Sequence, residues 1–241
     1  TEFWRIAPQG VSVHSARISG GRHGTPEELR SMENASKAAA RDVAMVEPDV
    51  VAYGCTSGSF FEGPDWNKRI CEQLTEITGA PTVTTAGAMA ACLTAGGHRK
   101  VDVVTPYVEL TNERLKQFLR AHGIEVNRLG TFDMLDMFDH AKIQPEEIYQ
   151  KVKDTNSADT EAIFIACTQL RALEVVDMLE RDLGKPVYSA VQATAWQAYM
   201  EMGVDPRITG CGSLLRKLSE PGALKQPRSG CANRRERQGH Y

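Results

Sequence analysis

DVVAYGCTS (49–57) and TGAPTVTTAGAMAACLTAGG (78–97) are answered later in the chain by EAIFIACTQ (161–169) and LGKPVYSAVQATAWQAYMEMG (183–203). In each copy a compact apolar run leads straight into Cys-Thr. An amphipathic stretch follows, then Gly-x-Pro, a second short apolar run and a small-residue segment closed by glycine. Short apolar runs alternating with helical periodicity predict buried parallel strands joined by crossover helices. A unit repeated once predicts two related halves. The expected fold class is α/β, two doubly wound parallel-sheet lobes about a pseudo-two-fold axis with a cleft between them. Cys55 and Cys167 hold the same place in both copies, immediately after a strand's carboxyl end, which is where open α/β sheets place ligands.

The flanking segments fit this alternation. VSVHSARI (11–18) alternates apolar and polar residues and reads as a strand. A helix is expected from Thr25, with Pro26 in its first turn, Glu28 completing a capping box, and Leu29, Met32, Val43 and Val46 on its apolar face. CTSGS (55–59) reads as a polar turn, and Trp66, Ile70, Leu74 and Ile77 mark a helix ending near Gly79. KVDVVT (100–105) and IEVNR (124–128) read as strands around a helix carrying Leu115, Phe118 and Leu119. The domain division drawn from this reading is 1–104 for the first lobe, 105–218 for the second and 219–241 for a disordered basic tail.

With 241 residues the chain can bury a sizeable core without metals or disulfides. Its 28 basic and 31 acidic residues give a net charge of -3, which argues against a nucleic-acid or anionic-membrane partner. No run approaches the ~18 apolar residues of a membrane span, so a cytoplasmic location is expected. The six cysteines form no CxxC pair, and the six histidines lack metal-ligand spacing and read as surface or packing residues. SGGRHG (19–24) reads as a mobile loop over the site rather than a phosphate loop.

Paired thiols at strand ends suit proton or carbanion chemistry. Both cysteines precede predicted helices, whose N-terminal amides can bring a thiol toward ionisation near neutral pH. Thr56, Ser57 and Thr168 follow them directly, with hydroxyl and backbone N–H groups suited to a carboxylate or an enediolate-like anion. Tyr107, after the strand 100–105, can add a phenolic hydrogen bond, or can be a core-edge tyrosine. Two thiols can work on opposite faces of a planar intermediate, or one can add to an activated double bond and later be expelled. A two-lobed binder without catalysis would carry the same repeat, with unreactive thiols.

GCTSGSF (54–60), VVTPYVELTNERL (103–115), IACTQL (165–170) and CGSLLR (211–216) together resemble the maleate cis–trans isomerase and arylmalonate decarboxylase branch of the aspartate/glutamate racemase superfamily, over residues 2–218. The resemblance implies two flavodoxin-like lobes, an active site between them, a small carboxylate substrate and no metal or organic cofactor. By it, Cys55 matches the first-lobe cysteine that isomerases and racemases have and the decarboxylases lack. Cys167 matches the second-lobe cysteine that protonates the intermediate, and Thr56, Ser57 and Tyr107 match groups that cradle a carboxylate. The expected function is a cofactor-independent isomerase or racemase of a small carboxylic acid. A decarboxylase and an ectoine-utilisation-type protein are the alternatives within the superfamily. Met137 and Phe138 fall where maleate isomerases carry an asparagine, and Thr56-Ser57 is closer to the decarboxylases. The family's opening central strand and its serine/asparagine loop have no counterpart ahead of Phe3, so the first lobe is expected to lack that strand.

Overall fold

The computed structural model describes residues 2–216; the basic tail expected at 219–241 lies outside the described residues. In chain order the elements are α1 (Glu2–Arg5), α2 (Pro26–Ala44), β1 (Val51–Tyr53), α3 (Thr56–Phe60), α4 (Pro64–Thr78), β2 (Thr82–Thr84), α5 (Thr85–Ala95) and β3 (Lys100–Thr105). They continue with α6 (Glu109–Ala121), β4 (Glu125–Thr131), α7 (Met137–His140), α8 (Pro145–Thr155), β5 (Ala162–Ile165), α9 (Leu173–Leu183), β6 (Val187–Ser189) and α10 (Ala190–Met202). All strand pairs are parallel, in two sheets ordered β1-β2 and β4-β3-β5-β6.

The sequence repeat is a structural repeat. Val51–Tyr53 pairs with Thr82–Thr84 as Ile163–Ile165 pairs with Val187–Ser189. The helices α4 and α9 both end on a left-handed glycine, Gly79 at φ 70° and Gly184 at φ 65°, a conformation that costs glycine little. Thr84 and Ser189 then cap α5 and α10 through their hydroxyls. These two small-residue helices pack on each other, and Thr194 Oγ1 donates to Thr85 Oγ1 at 3.1 Å. Alanines on both helices allow that close approach.

The core lies on the second sheet. All four residues of β5 are fully buried, and burying a side chain the size of Ile or Phe contributes about 1.5–3 kcal/mol. Beside them Asp102, also fully buried, accepts hydrogen bonds from Arg128 N, Asn127 Nδ2, Ser157 N and Thr160 Oγ1 at 3.0, 3.2, 2.7 and 2.9 Å. One carboxylate thus ties β3 to β4 and to the loop before β5, and its four donors offset the cost of burying it.

Three expectations need correction. A lobe boundary after residue 104 would cut through β3, which is hydrogen-bonded to β4 and β5; the pairing puts the division ahead of Lys100. The segment 11–18 forms no strand: alternation is present, but a strand also needs a neighbour's backbone to ladder with, and β1 pairs only with β2 among the described residues. Val46 lies past the end of α2 and is exposed, so Leu29, Met32, Ser36, Ala39 and Ala40 form the buried face. Among the described residues the first sheet holds counterparts of β5 and β6 and none of β3 and β4.

Candidate active site

Cys55 stands two residues beyond β1 and caps α3. Its Sγ accepts from Gly58 N at 3.4 Å and lies 3.9 Å from Ser57 Oγ. A Cβ at Gly58 would lie 2.8 Å from the Tyr53 hydroxyl and 3.0 Å from Cys55 Sγ, so any other residue there would have to push both aside. What sequence reading takes as a polar turn is therefore a helical turn wrapped on the thiol. Ser59 Oγ donates to the carbonyls of Cys55 and Thr56 and accepts from Ala86 N, which fixes that turn to α5. Burial pushes the Cys55 thiol up, partly opposed by the Gly58 N–H and the Ser57 hydroxyl.

The second sheet runs in the order 2-1-3-4 by its own strand sequence, so successive strands are added outward in opposite directions from the β3/β5 pair while all remain parallel. That is the switch point at which doubly wound sheets bind ligands. Tyr107 follows β3 there and Cys167 follows β5. Asn112 fixes the first turn, donating to the Tyr107 carbonyl and accepting from Thr105 Oγ1, while Thr131 Oγ1 donates to the same carbonyl. Cys167 adopts φ 97°, a conformation that side chains other than glycine rarely take, and it is 7% exposed. Burial pushes its thiol up to about 12, with the Gln169 N–H opposing and Cys55 adding to the rise.

The two halves meet at this point. Thr168 Oγ1 donates to the Gly54 carbonyl at 3.0 Å, joining the residue after one cysteine to the residue before the other. The buried Tyr107 hydroxyl lies within reach of both the Thr56 hydroxyl and the Cys167 thiol, and burial drives its ionisation well above the ordinary phenol range. Thr56 Oγ1 is buried and, among the described residues, closes no hydrogen bond of normal geometry even with that neighbour. An orphaned hydroxyl at a cleft between lobes is unfinished until something polar binds there.

A cavity of about 20 Å³, room for one water, opens beside these groups. Ser57, Tyr107, Val108, Met134, Met137 and His140 are among its walls, with His23 and Gly24 from the glycine-rich loop. That loop is strapped down: Met137 N donates to the Arg22 carbonyl at 2.8 Å, and the Arg22 guanidinium pairs with Asp136 at 2.6 Å. Met137 is a cavity wall, while Phe138 faces solvent under the Arg22 guanidinium.

All six residues singled out from the sequence, Cys55, Thr56, Ser57, Tyr107, Cys167 and Thr168, therefore converge. Three details differ from expectation. Residues 168–172 form a turn and α9 starts only at Leu173, so no helix N-terminus faces Cys167. Both thiols are raised rather than lowered, because burial outweighs the local N–H groups. The Thr168 hydroxyl proton is committed to Gly54, leaving its backbone N–H as the group it can offer a ligand.

His140 is the residue that sequence reading passed over. It is 3% exposed, with Nε2 3.1 Å from the Met134 carbonyl and Nδ1 3.8 Å from Cys167 Sγ. Its spacing carries no metal signature, and only folding brings it to a residue 27 positions away. Among the described residues no group of three or more His, Cys, Asp or Glu is placed to hold a metal ion, and no helix is long and apolar enough to cross a membrane.

Fold and cleft define a two-lobed parallel α/β protein with a candidate site where the lobes meet. Residues 18–215 match the arylmalonate decarboxylase family model, and the chain belongs to that family. It is 28% identical over 213 residues to maleate isomerase from Alcaligenes faecalis, covering 85% of this chain and 83% of that one. Among solved structures it resembles a cysteine-to-alanine variant of the maleate isomerase Iso from Pseudomonas putida S16 with maleate. The TM-score there is 0.86 at 29% identity, over 90% of this chain and 92% of the other. A Nocardia farcinica maleate cis–trans isomerase, in a cysteine-to-serine variant with a covalently bound succinylcysteine intermediate, superimposes with TM-score 0.84 at 25% identity, over 90% and 91% of the two chains.

Proposed function

We propose that this protein is a cofactor-independent isomerase of a small cis-unsaturated carboxylic acid of the maleate type, working through Cys55 and Cys167. The observation that carries the reading is the convergence of two thiols, one from each lobe, on the Tyr107 hydroxyl, which feels both of them. Thr56, Ser57 and Tyr107 hold a substrate carboxylate, with Thr56 Oγ1 finding there the partner it otherwise lacks. The Cys55 sulfur adds as a thiolate to one olefinic carbon, and the electron pair moves into the carboxylate as an enediolate. Cys167 delivers a proton to the neighbouring carbon. The double bond is now single and rotates. Cys167 takes the proton back and the Cys55 sulfur leaves, so the cycle closes with no net gain or loss of protons or electrons. Racemisation uses the same pair on opposite faces of the enediolate.

The test is incubation with maleate in deuterium oxide followed by proton NMR. Wild type is expected to form fumarate, and Cys55→Ala or Cys167→Ala each to lower turnover by at least ~10³-fold. Full turnover by Cys55→Ala would remove the two-thiol mechanism. The apolar walls Val108, Met134 and Met137 favour a second reading, in which a disubstituted malonate loses carbon dioxide and Cys167 alone protonates the enediolate. Carbon dioxide release from an arylmalonate that survives Cys55→Ala would select it.

A further inference from the structure

A second cavity, of about 140 Å³, lies away from the cleft, between the carboxyl end of α5, β6, α10 and the segment that follows α10. It shares no wall with the cavity at the cleft. Cys92, Tyr188 and Trp196 are its buried walls, and Leu214 adds a partly buried one. Ala95 and Gly96 are exposed at its edge, so it opens to solvent there. An apolar cavity of ~150 Å³ holds a ligand the size of benzene.

The Tyr188 hydroxyl supplies the polar end. Its Oη lies 3.0 Å from His98 Nε2, and the two ring centroids are 5.8 Å apart. Gly96 makes room for this pair: a Cβ there would strike the His98 ring and come within 3.2 Å of the Tyr188 hydroxyl. A phenolic hydroxyl gives its proton to one partner and accepts from another. Whichever of the two bonds His98 takes, the other is left for a ligand. A ligand hydroxyl completes either one, because it also both donates and accepts. The Ser213 N–H and hydroxyl are both given to the Glu180 carboxylate at 2.7 Å, so this wall brings a negative charge close and offers no proton. None of the described walls is cationic, which disfavours an anionic ligand. The rings of Trp196 and Tyr188 favour a flat aromatic one. From this geometry we propose that the cavity is a second binding site, for a small neutral aromatic alcohol of the phenol class.

The probes are 4-fluorophenol and fluorobenzene, followed by fluorine NMR on the intact protein. Wild type is expected to bind 4-fluorophenol saturably, with a Kd of about 1 mM or below. Fluorobenzene is expected to bind about three- to tenfold more weakly, the worth of one hydrogen bond. Tyr188→Phe keeps the ring and removes the hydroxyl, so it binds the two probes equally. Leu214→Trp fills the cavity and Ala95→Phe blocks its mouth, and each weakens 4-fluorophenol by at least about tenfold. Thermal melting reports which variants are folded, and Ala95→Phe, at an exposed position, decides if Leu214→Trp is not. No saturable binding by wild type overturns the proposal. So does binding that survives in either folded variant, which would place the probe elsewhere, the cleft included. A preference for 4-fluorophenol that persists in Tyr188→Phe overturns the phenol-class assignment.

Discussion

Cys167 carries a backbone conformation that its side chain disfavours, at φ 97°. Such a residue costs about 1–3 kcal/mol and persists only where its neighbours hold it. Here β5 ends in the buried core, and Thr168 is fastened across to Gly54. The turn between them is fixed at both ends, which aims the sulfur at the cleft. Replacing the residue by glycine removes the strain, offset by glycine's greater freedom in the unfolded chain. Cys167→Gly is therefore expected to melt a few degrees above Cys167→Ala while both are inactive. Equal midpoints in calorimetry would remove the strain account. The sequence marks this cysteine through the repeat but contains no sign of its φ, nor of the histidine that folding sets against it.

At the scale of elements, the loop 19–24 and the segment around α7 close the cleft together. Arg22 pairs with Asp136, and its guanidinium lies 5.5 Å from the Phe138 ring centroid. Both side chains border solvent, so the ion pair is worth no more than about 1 kcal/mol. Losing it shifts the balance toward an open loop by a small factor. Arg22→Ala is expected to raise the labelling rate of Cys55 about two- to fivefold and to raise KM by a similar factor, with little change in kcat. Unchanged labelling would show that the backbone bond from Met137 N to the Arg22 carbonyl suffices by itself. The glycine content identifies a loop, whereas its landing place on residues 134–140 follows from contacts 114 positions apart in sequence.

Across the whole molecule, α1 joins the first residues to the second lobe. Glu2 Oε1 accepts from Leu173 N at 3.0 Å, capping α9 where Ala172 supplies no side-chain cap, and Tyr199 Oη donates to the Ile6 carbonyl. Glu2 is buried and its Oε2 has no hydrogen-bond partner among the described residues. Burial raises its carboxyl from 4.5 to about 7, the Leu173 N–H opposing. Between those values the folded chain binds more protons than the unfolded one, so stability falls as pH rises through the window, by up to about 3 kcal/mol. Glu2→Gln keeps the acceptor for Leu173 and removes the charge. Its melting temperature is expected to match wild type near pH 5 and to exceed it at pH 8. An equal difference at both pH values would assign the effect to packing instead.

The sequence by itself determined the parallel α/β class, the two related halves and the six residues that meet at the cleft. The class, the halves and the two Cys-Thr sites are written in local periodicity and in a repeat, and Tyr107 in its place after the strand 100–105, all of which survive without knowledge of distant contacts. The capping box at Thr25 and the glycine stops at Gly79 and Gly184 are legible for the same reason. Only the tertiary structure decided that β3 belongs to the second sheet, that residues 11–18 find no strand to pair with, and that His140 faces Cys167. It also decided the sign of the thiol shifts. A cysteine beside backbone N–H groups reads as acidified, but desolvation depends on everything packed around the sulfur, and here burial outweighs those local bonds.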